Sequence, residues 1–196
     1  MANVARTNGF TPVKHLNGSP YNGQYNLYEI VAGDGTATMV GDLVKADTGT
    51  ATDVYPTCVR HGTSGEVTSG LALGVVVGFK VSPTDLNTPQ YRAASTKRYA
   101  MVADSPDLIF KVKDGGTVPC TLSLIGNNTG FMATAGSTTT GNSGMTTGTT
   151  APTTTNSLPL KIMGIVDSPD NESASADQQL LVMINQHYYM GGQTAV

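Results

Sequence analysis

The sequence predicts an all-β protein, either an antiparallel β-sandwich or a barrel, with an extended N-terminal arm and a long Thr/Gly-rich loop. Short apolar segments recur at intervals of about 8 to 12 residues, with Gly, Asn, Asp and Pro turn signals between them, which is typical of sandwiches and barrels. No window of about 11 residues has the apolar spacing of an amphipathic helix. The 196 residues are therefore expected to form one β-rich body with appendages.

The first 23 residues predict an extended arm. Three Asn-Gly pairs are turn signals, and two prolines bias the residues before them to extended backbone. The segment has neither helical nor alternating periodicity, so it is not predicted to fold alone. It carries four isolated apolar anchors, namely Phe10, Val13, Leu16 and Tyr21.

Ordering this arm requires a large receiving surface. Fixing the backbone costs roughly 1 to 2 kcal/mol per residue. Phe10 and Tyr21 can each bury about 150 to 250 Å². A small body that must also hold the Thr/Gly-rich loop is expected to lack the room, so we expect a neighbouring subunit to supply this surface.

Residues 24–190 form the predicted body. In its first strand, Tyr25, Leu27, Glu29 and Val31 are predicted on one face, and Asn26, Tyr28 and Ile30 on the other. Turns that contain Gly and Asp separate the next short strands. Residues 71–81 are almost all apolar and rich in Val, which indicates a strand buried on both faces. The predicted strands are residues 24–31, 36–40, 43–45, 54–60, 71–81, 97–103, 108–113, 118–125, 130–134, 158–166 and 179–185.

Three segments of the chain are not predicted to be strands. Residues 83–96 form a polar excursion with room for a helical turn. Residues 133–157 are low in complexity and dominated by Thr, Gly and Ser, which in isolation predicts a flexible loop. Residues 191–196 form a polar C-terminal tail.

Aromatic residues near both ends of the body are candidates for partner contact. Tyr188, Tyr189 and Met190 are adjacent and combine apolar surface with polar groups, a composition enriched at interfaces, although they could equally complete the core. Tyr25 lies at the start of the first strand. The predicted partner-binding residues are Phe10, Val13, Leu16, Tyr21, Tyr25, Tyr188, Tyr189 and Met190.

Composition argues against several functions. The net charge is −3 and the few Lys and Arg are scattered, so no basic stripe for nucleic acid exists. No apolar run reaches the length of a transmembrane helix, and the N-terminus lacks the pattern of a signal peptide. Without a secretory signal, Cys58 and Cys120 are expected to be reduced thiols.

No metal or cofactor site is predicted. Cys58 and His61 have C-x-x-H spacing, but a structural zinc site needs four ligands, and His15, His187 and Cys120 are isolated in sequence. The Gly-rich stretches do not open helices, so they predict no phosphate-binding loop.

Catalytic signals are also weak. No G-x-S-x-G elbow occurs, and we do not expect an enzyme. The carboxylate pairs Asp104/Asp107 and Asp167/Asp170 each belong to an Asp-Ser-Pro-Asp segment. They could offer oxygen ligands to Ca²⁺, but turns explain them better.

Several segments resemble small head structural proteins of tailed bacteriophages. The similarity covers most of the chain and is weakest in the Thr-rich loop. It lies in residues 9–23, Gly41-Asp-Leu-Val-Lys45, Gly74-Val-Val-Val-Gly-Phe79, residues 91–99, 158–164 and 168–171, and Met183-Ile-Asn-Gln-His187.

This resemblance implies a capsid decoration, or cement, protein on the outer surface of a phage head, made in the host cytoplasm. Its implied partners are the major capsid protein and further copies of itself, with a homotrimer favoured. A major capsid protein itself is not expected, because the chain is short and has no pattern for a long helix. The alternative is a tail or fibre component that binds host-surface glycans, although Tyr25 and Tyr28 fall on opposite faces of one strand and cannot form a shared platform.

Overall fold

The computed structural model describes residues 3–47, 51–82, 85–116 and 119–190. The predicted tail at residues 191–196 and the start of the strand predicted at residues 118–125 lie outside this part of the chain. In chain order, the strands are β1 (Thr11–His15), β2 (Asn26–Ile30), β3 (Leu43–Ala46), β4 (Cys58–Arg60), β5 (Glu66–Val67), β6 (Gly74–Phe79), β7 (Arg98–Ala103), β8 (Leu108–Lys113), β9 (Asn128–Thr129), β10 (Phe131–Met132), β11 (Thr146–Thr147), β12 (Leu160–Ile165) and β13 (Gln179–Ile184).

These strands confirm the predicted all-β antiparallel fold. One five-stranded sheet has the order β1-β8-β13-β12-β9, and a second has the order β2-β7-β6-β3-β4. A third sheet has three strands in the order β11-β10-β5. The strand orders are those of open sheets in a sandwich.

The apolar residues of the two large sheets share a main core. Leu43 and Val75 from the second sheet pack in one cluster with Phe110 and Val182 from the first. Val76, the neighbour of Val75, lies in a smaller second cluster on the other face. The predicted burial on both faces is therefore confirmed for β6, which explains why this strand has no polar alternation, whereas Leu71 and Val81 at the ends of the predicted segment are exposed.

The N-terminal arm belongs to this core, which corrects one sequence-based expectation. Phe10 is only 2% exposed and packs edge-to-face against Phe131, with ring centroids 6.4 Å apart. The next residues form β1, which pairs with β8 at the edge of the first sheet. The expected neighbouring subunit is therefore not needed here, and the prediction of partner contact is wrong for Phe10.

Gly9 allows the arm to enter the core. Its φ is +66°, and a Cβ built there would lie 2.4 Å from the Cβ of Ser143 and 2.5 Å from the carbonyl oxygen of Gly41. The amide of Phe10 donates to the same carbonyl at 2.9 Å. Only glycine fits this left-handed, crowded position without strain.

The Thr/Gly-rich segment is also held by the chain itself. Ser143 donates its hydroxyl to Asp42 at 2.5 Å, and Asp42 accepts from Arg60 Nε at 2.9 Å. Asp42 is fully buried, and burial raises its carboxyl pKa even though Arg60 acts in the opposite direction. A buried ion pair is stable only when further hydrogen bonds satisfy its remaining polar atoms, and Ser143 provides one of these bonds.

Two further carboxylates bind the same segment. Thr147 donates to Asp114 at 2.8 Å. Thr149 and Thr150 donate to Glu66 at 2.8 and 2.9 Å. Within the flexible loop expected at residues 133–157, residues 141–148 are therefore held on the body, with Thr146–Thr147 forming β11, whereas most residues on either side of them are exposed.

Three other sequence predictions fail. Residues 118–125 were predicted as a strand, but Leu122–Leu124 form a short 3₁₀ turn without buried residues. Residues 36–40 contribute only isolated bridges at Thr38 and Val40. In residues 85–96, the described part of the polar excursion, no helical turn forms.

Candidate functional site

An exposed aromatic surface lies where the short turn after β13 meets the start of β2. It consists of Tyr25, Tyr188, Tyr189 and Met190, which we call the tyrosine patch. These side chains are 45 to 57% exposed. The last three form a short 3₁₀ turn after β13, and Tyr188 packs edge-to-face on Tyr189 with centroids 5.4 Å apart.

A buried hydrogen-bond chain holds the patch in position. The hydroxyl of Tyr28 donates to Asp104 Oδ2 at 2.5 Å, so the hydroxyl of Tyr189, 2.6 Å away, donates to Tyr28. Asn26 also donates to both oxygens of Asp104 at 3.0 Å. Burial, with hydrogen bonds to Asp104 and Tyr189, raises the pKa of Tyr28 far above its usual range. The phenol therefore stays neutral and fixes Tyr189 to the body.

Two clefts flank the patch. A cleft of about 490 Å³ is lined by Tyr21, Tyr25 and Tyr189 together with Asp104. A more open cleft of about 470 Å³ lies between Tyr25, Tyr189 and Tyr55. The fold thus brings together three of the predicted partner-binding residues. Tyr25 lies just before β2 and is 48% exposed, whereas Tyr28 within β2 is buried.

The other predicted residues have different surroundings. Tyr21 is half-buried against the main core and donates its hydroxyl to the carbonyl of Gln24 at 2.8 Å. Val13, on β1, and Leu16, just beyond it, are exposed, unlike Phe10, which is buried in the main core. Partner contact stays a prediction for these three.

The two Asp-Ser-Pro-Asp segments form turns of the same construction. Ser105 donates its hydroxyl to Asp107 at 2.5 Å, and Ser168 donates to Asp170 in the equivalent way. The turn interpretation is confirmed, but the bonds come from the serine and the second aspartate. Among the described residues, no group of three or more His, Cys, Asp or Glu side chains is placed to hold a metal ion.

Both turns also clamp the N-terminal arm. Asp107 lies 3.1 Å from the Nδ1 atom of His15, and Asp170 forms an ion pair with Arg6. Hydrogen bonds from Ser105 and then His15 lower the pKa of Asp107, and those from Ser168 and then Arg6 lower the pKa of Asp170 to about 2. Both carboxylates are therefore charged at neutral pH and hold the arm on the body.

The proximity of Ser105, Asp107 and His15 has a partial likeness to a hydrolytic triad. In a triad the serine bonds to the histidine, which the aspartate orients from the other side. Here the serine and the histidine both bond to the aspartate, and no hydrogen bond joins them to each other among the described contacts. This arrangement fits a turn better than a nucleophile.

The two cysteines are free and buried. Burial raises the pKa of Cys58 to about 12 and that of Cys120 to about 11, so neither thiol forms the reactive thiolate at neutral pH. The expected pair of unbridged thiols is confirmed.

A second surface, which the sequence did not predict, lies at one end of β6 and β7. It is a cleft of about 530 Å³ that includes Lys80, Tyr91 and Arg98. The adjacent residues Lys97, Arg98 and Tyr99 were the available signal, but Lys80 joins them only through the sheet, where its amide donates to the carbonyl of Tyr99 at 2.9 Å.

The chain matches no protein-family model, no curated protein and no solved structure. In the described part of the chain, no helix has the length and apolar character needed to cross a membrane.

Proposed function

We propose that the chain is a structural virion protein that decorates the outer surface of a tailed-phage head. In this proposal, it binds the major capsid protein across the seams between capsomers and associates with further copies of itself, with a trimer favoured. The resemblance of its turn and strand motifs to small phage head proteins supports the family. The tyrosine patch is the structural observation that carries the proposal.

The patch has the properties of a protein-binding surface. It presents three tyrosines and a methionine at high exposure on a rigid support. Aromatic residues and Met are enriched at interfaces, and contiguous exposed apolar surface commonly marks them. The low charged fraction of the chain, 13%, also reduces the cost of covering its surface with neighbours.

The arm has a changed role in this proposal. Because Phe10 and β1 belong to the chain's own core, the arm does not need the capsid for its order. Its exposed side chains, Val13 and Leu16, remain available as a smaller apolar surface. We therefore assign the main capsid contact to the tyrosine patch.

Cosedimentation with shells assembled from the major capsid protein alone tests this assignment. The variant Tyr188→Ser/Met190→Ser leaves the Tyr189–Tyr28 hydrogen bond intact and is expected to weaken binding by about tenfold or more. The matched control is Leu122→Ser, because Leu122 is 68% exposed on the 3₁₀ turn outside the patch. Equal binding by the double variant and the wild type would remove the patch from the capsid contact.

A tail or fibre component that binds host-surface glycans is the second candidate. The observation that favours it is the placement of Tyr25 and Tyr189 on the walls of two clefts, since exposed aromatic rings are what a sugar platform requires. Copy number separates the two functions. A decoration protein is present in numbers that scale with capsomers, whereas a tail component is present in a few copies per virion.

A further inference from the structure

The cleft at the end of β6 and β7 has the construction of a ligand site. Its volume of about 530 Å³ is in the usual range for small-ligand pockets, which combine apolar walls with a few polar groups. The apolar walls come from Val81, Pro89, Tyr91 and Ala93. Three cations also line it, and we call it the basic cleft; they are Lys80, Lys97 and Arg98.

Arg98 is a half-buried cation without a neutralising partner. Its Nη1 atom donates to the carbonyl oxygens of Pro89 at 2.6 Å and Tyr91 at 2.8 Å, and its guanidinium carbon lies 5.0 Å from the ring centroid of Phe79. Among the described residues, no carboxylate lies within ion-pair distance of it. Burial lowers its pKa, which shows the cost of keeping this charge partly out of water.

Lys80 is a second cation of the basic cleft, and it is exposed. Its Nζ atom lies over the rings of Tyr55 and Tyr99, at 5.8 and 5.4 Å from their centroids, and it has no carboxylate within 4.0 Å in the described part of the chain. Lys97 differs, because it pairs with Glu29 at 3.2 Å. Asp53 attracts both lysines and balances part of their charge, whereas the charge of Arg98 has no such partner in the described part of the chain.

Among the described residues, the carboxylate that lines the basic cleft is Asp85, and it forms no ion pair with these cations. Asp85 accepts a hydrogen bond from the backbone amide of Asn87 at 3.0 Å within its own turn. Tyr91 contributes a half-buried ring, and its phenol has no hydrogen-bond or ring partner among the residues the structure describes. An apolar wall, an unpartnered phenol, an uncompensated guanidinium and an exposed lysine therefore face the same space.

We propose that the basic cleft binds an organic anion in which a carboxylate is joined to an aromatic or aliphatic body. The carboxylate lies between Arg98 and Lys80, and the apolar body packs on Tyr91, Val81 and Pro89. Arg98 suits this role because its guanidinium is already oriented, so little is lost on ordering it. This site is separate from the tyrosine patch and does not depend on the capsid proposal.

Titration with small probes, followed by NMR of the backbone amides of β7, tests the chemistry. Hydrocinnamate is expected to bind, and its neutral amide, hydrocinnamamide, is expected to bind about tenfold more weakly because it loses the charge-assisted bonds. Glucuronate has the carboxylate without the apolar body and is expected to bind more weakly than hydrocinnamate. If the amide binds as tightly as the acid, or glucuronate binds more tightly than hydrocinnamate, the proposed ligand class is wrong.

Two variants and a control locate the site. Arg98→Gln is expected to weaken hydrocinnamate binding by about tenfold or more, and Lys80→Gln by roughly two- to fivefold because Lys80 is exposed. Lys111→Gln is the matched control, since Lys111 is exposed on β8 and outside the basic cleft. Lys80→Gln removes no hydrogen bond from the fold, so it keeps the test valid if Arg98→Gln lowers stability. Unchanged binding by Lys80→Gln together with unchanged binding by a folded Arg98→Gln would overturn the proposal.

A final comparison identifies the source of the anion. The peptide acetyl-Phe-Glu-amide presents an aromatic side chain beside an acidic one and stands for a segment of a partner protein. Tighter binding of this peptide than of hydrocinnamate indicates a protein ligand, and weaker binding indicates a free small acid. Either ranking supports the proposed chemistry, whereas absence of binding by both probes contradicts it.

Discussion

Replacing Phe10 by alanine tests whether the arm is ordered by the chain itself. The side chain is 2% exposed in the main core and packs against Phe131. Truncation of a buried Phe to Ala costs about 3 to 5 kcal/mol, because apolar burial is lost and a cavity remains. Since whole domains are stable by about 5 to 15 kcal/mol, this is a large share of the free energy of unfolding.

Urea unfolding of the purified protein measures this loss. With an m-value of about 2 kcal/mol per M, the midpoint of Phe10→Ala is expected to fall by roughly 1.5 to 2.5 M. Leu16→Ala, at an exposed position of the same arm, is the control and should change the midpoint little. If Phe10→Ala unfolded at the same urea concentration as the wild type, the arm would not be part of the core in solution, and a neighbouring subunit would again be needed to order it.

Three further predictions concern other buried or partly buried groups. Burial lowers the pKa of His61 and His187, so the unfolded chain binds protons more readily than the folded chain. The stability should therefore be constant above about pH 6.5 and fall as the pH is lowered below that value. An equal urea midpoint at pH 7.5 and pH 5.5 would contradict this prediction. Cys58 and Cys120 should react with a thiol reagent only when the protein unfolds, and rapid labelling of the native state would show that the burial is wrong. Burial raises the pKa of Glu66, but hydrogen bonds from Thr149 and Thr150 outweigh this effect and hold the pKa below its usual value. Glu66→Gln should therefore speed amide exchange severalfold in the segment that Glu66 anchors, while lowering the free energy of unfolding by less than about 1 kcal/mol. Unchanged exchange in that segment would show that the carboxylate is not the anchor.

Apolar strands could be predicted because the physical signal is local. The segments that became β6, β8, β12 and β13 are runs of Val, Ile, Leu and Phe long enough to cross a sheet, and their burial follows directly from composition. The two-sided burial of β6 was also predictable, because a Val-rich run without alternation has no polar face for solvent.

β1 could not be predicted, because its pattern lacks alternation and it contains Pro12. Proline cannot donate to a sheet ladder, so a strand that contains it is restricted to a sheet edge or a bulge. Pro12 satisfies both conditions here, since β1 is the edge strand next to β8 and its register shifts between Pro12 and Lys14. Nothing in the sequence indicates that β8 is the strand that pairs with β1.

The predicted strand at residues 118–125 failed for a related reason. Alternating Leu and Ser residues are typical of a half-buried strand, but a strand also needs a free neighbour. β9 (Asn128–Thr129) occupies the edge of β12, and the amide of Gly126 already donates to the carbonyl of Ile162 at 2.9 Å. Residues 122–124 therefore turn at the surface before the chain reaches this edge.

The order of the Thr/Gly-rich segment depends on contacts that are distant in sequence. Its hydroxyl groups reach Asp42, Glu66 and Asp114, which lie between 33 and 101 residues away. A tract of small polar residues has no apolar face, so its position must be set by hydrogen bonds to groups that cannot leave the core, and buried carboxylates are such groups.

Because the arm and the Thr/Gly-rich segment are anchored within the fold, fewer surfaces of the chain are free to bind a partner. A segment that orders only on a capsid would present its anchors to that capsid, but Phe10 and the threonines of this chain are already occupied within the fold. The tyrosine patch is different, because the hydrogen bond from Tyr189 to Tyr28 anchors one of its rings while all four side chains stay 45 to 57% exposed. A surface that is rigid before binding loses little conformational entropy on association. Under the proposed decoration function, removal of the patch is therefore expected to reduce capsid binding more than removal of the exposed arm residues Val13 and Leu16.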